Sequence, residues 1–177
     1  VSRGLGDVYK RQEQGTGKKT LAWYLAARLL CEGAHKPCGS CKPCHNVEHR
    51  QHPDVQEVPH SGKTGGFSVE SIRRVCADAY KTPNNGMRKL YLFTDADHMT
   101  VQAQNALLKL VEEGPSYAAF LFCTENPGVL LPTVRSRCVE LAVRPMGEEN
   151  IQLLPQSRTL LEAMAGGERQ DMIRALV

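Results

Sequence analysis

No run of apolar residues in this sequence comes near the roughly 18 needed for a helix to span a bilayer. The first twelve residues, VSRGLGDVYKRQ, also lack the apolar stretch of a secretory signal, so the expected compartment is the cytoplasm, with no membrane partner. Internal repeats and low-complexity tracts are absent. An excess of one charge is lacking as well: 22 Lys and Arg face 19 Asp and Glu, and a balance of +3 is too small to indicate nucleic-acid binding by itself. Any DNA contact has to be local or shared. What is present is a soluble globular composition, 41% hydrophobic and 23% charged over 177 residues, which suits one domain with a real core, or one domain plus a fragment.

Seven cysteines make an odd count, which argues against an oxidised framework, and four of them, Cys31, Cys38, Cys41 and Cys44, fall within fourteen residues. Cys38-Gly-Ser-Cys41-Lys-Pro-Cys44 is two C-x-x-C steps sharing Cys41, with Cys31 upstream as a fourth thiolate. Tetrahedral zinc takes four such ligands at about 2.3 Å, and a tight turn at Gly39 or Pro43 lets sulfurs three apart face one ion. A redox C-x-x-C pair or buried free thiols remain the alternatives. Four thiolates in a short loop suit a closed structural site better than an exchange pair. His35, His45, His49 and His52 flank the cluster and are expected to be solvated, while Cys76, Cys123 and Cys138 lie in apolar segments and read as core thiols.

Upstream runs a glycine-rich turn, Gly15-Thr16-Gly17-Lys18-Lys19-Thr20, leading into a helix over 21–30 with Leu21, Ala22, Leu25, Ala26 and Leu29 on its buried face. Such a turn points backbone N–H groups at an anion, and Lys18 adds charge for outer phosphates. Measured against G-x-x-x-x-G-K-[ST] the outline is damaged. The first glycine is replaced by Gln12, the metal-binding hydroxyl position is Lys19, Thr20 comes one place late, and a preceding buried strand is hardly visible. A plain glycine turn capping a helix is the competing reading.

The remaining chain alternates strand and helix signals, which predicts an α/β fold with a parallel sheet flanked by helices. Strands are expected at 54–58, 89–93, 119–123 and 139–141. Ser68 caps a helix bearing Val69, Ile72, Val75 and Ala79, a second helix runs over 100–113, and 130–138 makes a short helical turn. The strand at 89–93 delivers Thr94, Asp95 and Asp97 to its carboxyl end, where open α/β sheets hold ligands.

Together with the cysteine module, the stretches Gly15 to Thr20, His52-Pro53-Asp54, Asn105-Ala106-Leu107-Leu108-Lys109 with Glu112-Glu113, and Ser136-Arg137-Cys138 give the sequence a close resemblance to the clamp-loader branch of the AAA+ ATPases of bacterial DNA polymerase III. The resemblance covers about residues 13–145. It implies a P-loop AAA+ parallel sheet with an inserted zinc module at 31–52, followed by a partial helical lid or C-terminal helices at 146–177, where residues 148–154 and 157–176 read as one short and one longer helix with Pro155 between them. Residues 1–12 match nothing in the branch and read as an atypical leader, and the chain is expected to be a truncated piece.

The resemblance further implies roles for single residues. Motor subunits of the branch carry an Asp-Glu pair where this sequence has Thr94 and Asp95, so Thr94 offers the metal no charge and Asp95 is a methylene short. With Lys19 in the hydroxyl position, ATP is expected to bind weakly or not at all and hydrolysis to be poor or absent. For Asp95 and Asp97 the favoured reading is two loop acids capping the next helix. Thr124 stands at a sensor-like position. Arg137 corresponds to a finger that reaches a neighbour's γ-phosphate, against the bland reading of a surface salt bridge, with Arg135 as confounder. The implied partners are gamma/tau and delta subunits, and through the complex the sliding clamp and primed DNA. Two other readings are a gamma/tau ATPase motor and a zinc-binding nucleic-acid adaptor. Lys36, Lys42 and Arg50 against Glu32 and Glu48 leave the module nearly balanced in charge, which favours a structural or protein-contact role over the adaptor.

Overall fold

Residues 90–93 and 119–122 alternate between two kinds of side chain, and the alternation decides what covers each face of the sheet. In β2 (Lys89–Phe93) and β3 (Ala118–Phe122), Tyr91, Phe93, Phe120 and Phe122 point to one side, and Leu90, Leu92, Ala119 and Leu121 to the other. All of these residues are buried, as in strands of a parallel sheet covered on both faces. The computed structural model describes residues 17–59, 66–85 and 87–143, and the backbone of 174–176.

The aromatic face carries α3 (Val69–Ala79) and α4 (Val101–Glu113), through Ile72, Val75, Ala103, Leu107 and Leu110. Tyr91 stacks on Phe120 at 5.5 Å and Phe93 on Phe122 at 4.8 Å, geometry worth about 0.5–1.5 kcal/mol per pair beyond area burial. The aliphatic face carries α1 (Lys18–Leu30). Here Ala22, Leu25, Ala26 and Leu30 are buried and Leu21 and Leu29 only partly so. The stripe is rotated from the expected one because Ala26 and Leu30 share a cluster with Val47 of α2 (Lys42–Glu48) as well as with the sheet. Helix α3 begins at the expected cap, Ser68, while α4 is capped by Thr100, which the sequence reading placed inside the helix. Ser68 accepts from the Ser71 N–H at 3.0 Å and Thr100 from the Ala103 N–H at 3.2 Å.

The sheet is parallel throughout, in the order β1-β2-β3-β5-β4, with β1 spanning Val55–Glu57, β4 Val139–Glu140 and β5 Arg174–Leu176. A short helix, α5, covers Pro132–Arg135 within the expected turn. Strand β5 corrects the helix expected over 157–176. Its residues lie between β3 and β4, where they pair with backbone groups that both neighbours would otherwise leave open, and this outweighs local helix preference. The rest of that helix, the one expected over 148–154 and the leader at 1–12 lie outside the described residues. No helix among the described residues is long and apolar enough to cross a membrane.

One further expectation changes at the join between the cysteine module and the sheet. The module contains α2, with Pro43 in its first turn, where a missing N–H costs nothing. His52, expected to be solvated, is 4% exposed. Its Nδ1 accepts the Asp54 N–H at 3.1 Å, and the Asp54 carboxylate accepts the N–H groups of Asn84 (2.6 Å) and Asn85 (2.8 Å). The His-Pro-Asp turn thus pins the entry of β1 to the loop after α3. Burial pushes the His52 imidazole below its usual 6.5, with nearby Asp54 and Glu32 only partly opposing the shift.

Candidate metal centre and phosphate-loop site

The C-terminal end of α1 and the start of α2 bring the four module cysteines together. Cys31 follows α1, Cys41 caps α2, Cys44 lies within α2, and Cys38 sits in the connecting loop, where Gly39 turns the chain at φ 70°. Glycine adopts such a conformation without the steric cost a Cβ brings. All four Sγ atoms lie within 4.8 Å of one another, the one such group of potential ligands among the described residues. Cys31 and Cys41 are 3.9 Å apart at sulfur, and sulfurs at about 2.3 Å from a tetrahedral zinc are roughly 3.8 Å apart.

Backbone amides complete the cradle. The N–H groups of Gly33 and Cys38 donate to Cys31 Sγ and that of Cys41 to Cys38 Sγ, each at 3.3 Å. Hydrogen bonds from the Ser40 hydroxyl and the Cys41 and Ser40 amides bring the Cys38 thiol down to about 5, and the Cys44 amide lowers Cys41. Burial instead pushes Cys44 up to about 12. A cation bound among them would ionise all four at once, and the soft sulfur set fits zinc. The remaining cysteines behave as read from the sequence: Cys123 is buried, and Cys76 and Cys138 pack partly buried against the core.

At the other end of α1 the chain enters the helix through Gly17, at φ 80°, a left-handed turn suited to glycine. Gly15 and Thr16 lie outside the described residues. The Lys18 Nζ is buried and has no hydrogen-bond partner among the described residues; a Glu125 carboxylate oxygen lies 3.9 Å away. Lys19 points elsewhere. Its Nζ is 2.5 Å from Oε1 of Glu57, the last residue of β1, and the Thr94 hydroxyl donates to the same oxygen at 3.1 Å. Thr20 is exposed.

Sequence reasoning missed Glu57. The available signal is strand alternation: Glu57 shares the face of Val55, which packs toward α1, while Gln56 points out. Register supplies the rest, because Glu57 pairs with Leu92, two residues before Thr94.

Asp95 and Asp97 do not cap the following helix, whose cap is Thr100. Asp95 precedes a 3-10 turn without a side-chain capping bond. The Asp97 carboxylate instead accepts the Thr124 hydroxyl (2.7 Å) and the N–H groups of Glu125 (2.8 Å) and Asn126 (3.0 Å). Three donors in the loop after β3 outcompete helix capping for that carboxylate, and they commit the hydroxyl hydrogen of Thr124 to Asp97. Beyond α5, Arg137 donates to Glu112 Oε1 at 2.6 Å and to the Thr133 carbonyl at 2.7 Å, whereas Arg135 reaches Glu140 at 3.4 Å.

A parallel α/β sheet with a four-thiolate module between its first helix and first strand is the frame on the page, and sequence comparison places this chain among DNA polymerase III subunits. The family model described as DNA polymerase III, delta subunit, matches residues 11–147. DNA polymerase III subunit delta' of Bacillus subtilis (strain 168) is 36% identical over 143 residues, 79% of this chain and 42% of the relative. The delta' subunit of Pseudomonas aeruginosa is 37% identical over 130 residues, 72% and 40% respectively. The chain belongs to the delta-prime family. The tau subunit of Salmonella typhimurium is similar at 30% identity over 175 residues, 90% of this chain and 27% of tau. The chain therefore spans about two-fifths of the length of the delta-prime relatives.

Proposed function

We propose that this chain is the AAA+ part, about residues 13–145, of a clamp-loader subunit that does not hydrolyse ATP itself. It works in the bacterial cytoplasm beside gamma/tau and delta subunits, helps load the sliding clamp onto primed DNA, and donates Arg137 to a neighbour's ATP. The observation that carries the reading is the Lys19–Glu57–Thr94 contact. A hydrolytic site needs a hydroxyl and a carboxylate on magnesium to neutralise developing charge. Here an ammonium stands at the first place, a threonine at the second, and the carboxylate within reach is already engaged by both. These residues do not fit a magnesium ion. The buried, hydrogen-bond-deficient Lys18 ammonium still favours a nearby anion, so weak nucleotide binding without turnover is the expected remnant.

The module at 31–52 holds one structural zinc and stiffens the end of α1. Arg50, whose guanidinium lies 5.4 Å from the centroid of the Trp23 ring, supports that docking.

Similarity to tau supports the motor alternative, and one experiment separates the two. The purified full-length protein is assayed for magnesium-dependent ATP hydrolysis, alone and assembled with gamma/tau and delta. The proposal expects no turnover alone and, in the complex, turnover that depends on Arg137. Turnover by the isolated protein that disappears in Lys18→Ala establishes the motor reading instead.

A further inference from the structure

Arg137 is 36% exposed in its side chain, yet both terminal nitrogens are engaged within the chain. Nη2 meets Oε1 of Glu112 at 2.6 Å, and Nη1 donates to the Thr133 carbonyl at 2.7 Å and to the Ser136 hydroxyl at 3.3 Å. Glu112 lies in the last turn of α4, which contains no basic residue, so its charge is opposed by the helix dipole and Arg137 offsets it. A guanidinium presents a planar fork of N–H groups that suits a carboxylate and a phosphate equally, so Glu112 occupies donors that an incoming phosphate would use.

We infer that Glu112 is a positioning residue for Arg137: its carboxylate keeps the guanidinium on the chain's own surface until a phosphate held by a neighbouring subunit displaces it. The inference rests on the finger reading proposed above. Because both partners are more than a third exposed, solvent and salt screen the pair, so the exchange is easily made. Glu112 competes with the phosphate and sets the nucleotide concentration at which the finger engages, not the rate once it has engaged.

The test uses the full-length protein assembled with gamma/tau and delta, with ATP titrated in the presence of magnesium and primed DNA. Glu112→Gln keeps the side-chain volume and one acceptor oxygen. It should lower the half-saturating ATP concentration at the bordered site about two- to fivefold, as an added high-affinity component, with kcat unchanged. In an Arg137→Ala background the same substitution should do nothing, a result that a purely structural role of Glu112 does not give. If Arg137→Ala impairs hydrolysis while Glu112→Gln leaves half-saturation unchanged, or shifts it equally without Arg137, the positioning role is wrong and the finger stands. If Arg137→Ala has no effect, the finger reading fails and takes the inference with it.

Discussion

The Lys19 ammonium and the Glu57 carboxylate lie 2.5 Å apart, at the N-terminal end of the first helix and the C-terminal end of the first strand. Thr94, one residue beyond β2, donates its hydroxyl to the same carboxylate oxygen. The two positions to which the proposed function assigns the missing metal contacts are thereby joined through a protein carboxylate.

Repairing one half of that contact should not create an ATPase. Lys19→Thr removes the ammonium but leaves Thr94 without a charge for the metal, so magnesium-dependent turnover is expected to stay at background. Lys19→Thr with Thr94→Asp should bind magnesium-nucleotide measurably more tightly than either single variant, read by calorimetry with and without chelator. Turnover in Lys19→Thr alone would show that Thr94 is not limiting.

One zinc should be found per chain after purification without added metal, and Cys41→Ser should release it. Metal analysis with a thiol count measures both, and four reactive thiols with no metal would overturn the assignment. Acid should release the ion, since protons compete for every sulfur. Cys44, pushed up to about 12 by burial, holds its proton most strongly without metal, so affinity should rise with pH across the neutral range. Loss of zinc should disorder mainly residues 31–52, because the elements on either side belong to the sheet layers.

Arg137→Ala in the assembled complex should leave zinc content unchanged and lower DNA-stimulated ATPase and clamp loading only partially. A finger supplied in trans is worth about 10³ or more in rate, but one site among several loses it. Arg135→Ala, whose contact is the exposed Glu140, should do less. Equal losses would mark the turn as structural.

Asp78 links α3 to the sheet, accepting the Lys89 ammonium at 2.8 Å and the Tyr91 hydroxyl at 2.9 Å. Burial raises its carboxyl, but these two hydrogen bonds outweigh burial and hold it below the usual 3.8. A carboxyl depressed in the folded state stabilises above its unfolded value, and that stability is lost as pH falls from about 4 through the folded value. Asp78→Asn should cost roughly 2–3 kcal/mol at pH 7, because Lys89, with 8% of its side chain exposed, keeps a charge without its partner. Urea midpoints at pH 7 and pH 3 check this; the difference between variant and parent should shrink at the lower pH.

Much of this molecule follows from local pattern. The run from Leu90 to Phe93 is apolar on both alternating faces and short enough to read as an interior strand, while Ser68 announces its helix by a hydroxyl three residues before the amide it caps. The spacing of Cys38, Cys41 and Cys44 brings three sulfurs together because a single turn suffices. Each of these depends on neighbours a few residues away, where chain geometry leaves little choice.

The side chains that decide the chemistry are joined over much longer separations, and those joins are invisible until strands are in register. Glu57 reads alone as a solvated strand end; only its pairing opposite Leu92 sets it between Lys19 and Thr94. Asp97 reads as a cap, and only the adjacency of the ends of β2 and β3 offers it the better donors of the Thr124 loop. His52 is buried by a partnership that reaches Asn84 and Asn85, and Arg137 is held by Glu112 because α5 returns over the end of α4. Sequence alone determined the central strands, the helices α1, α3 and α4 and the thiolate knuckle, since each is set by residues within one or two turns, whereas β5 took its form from its partners in the sheet. Tertiary structure alone decided which charge meets which, because an ion pair depends on distance in space, and that distance is set by sheet register and helix packing.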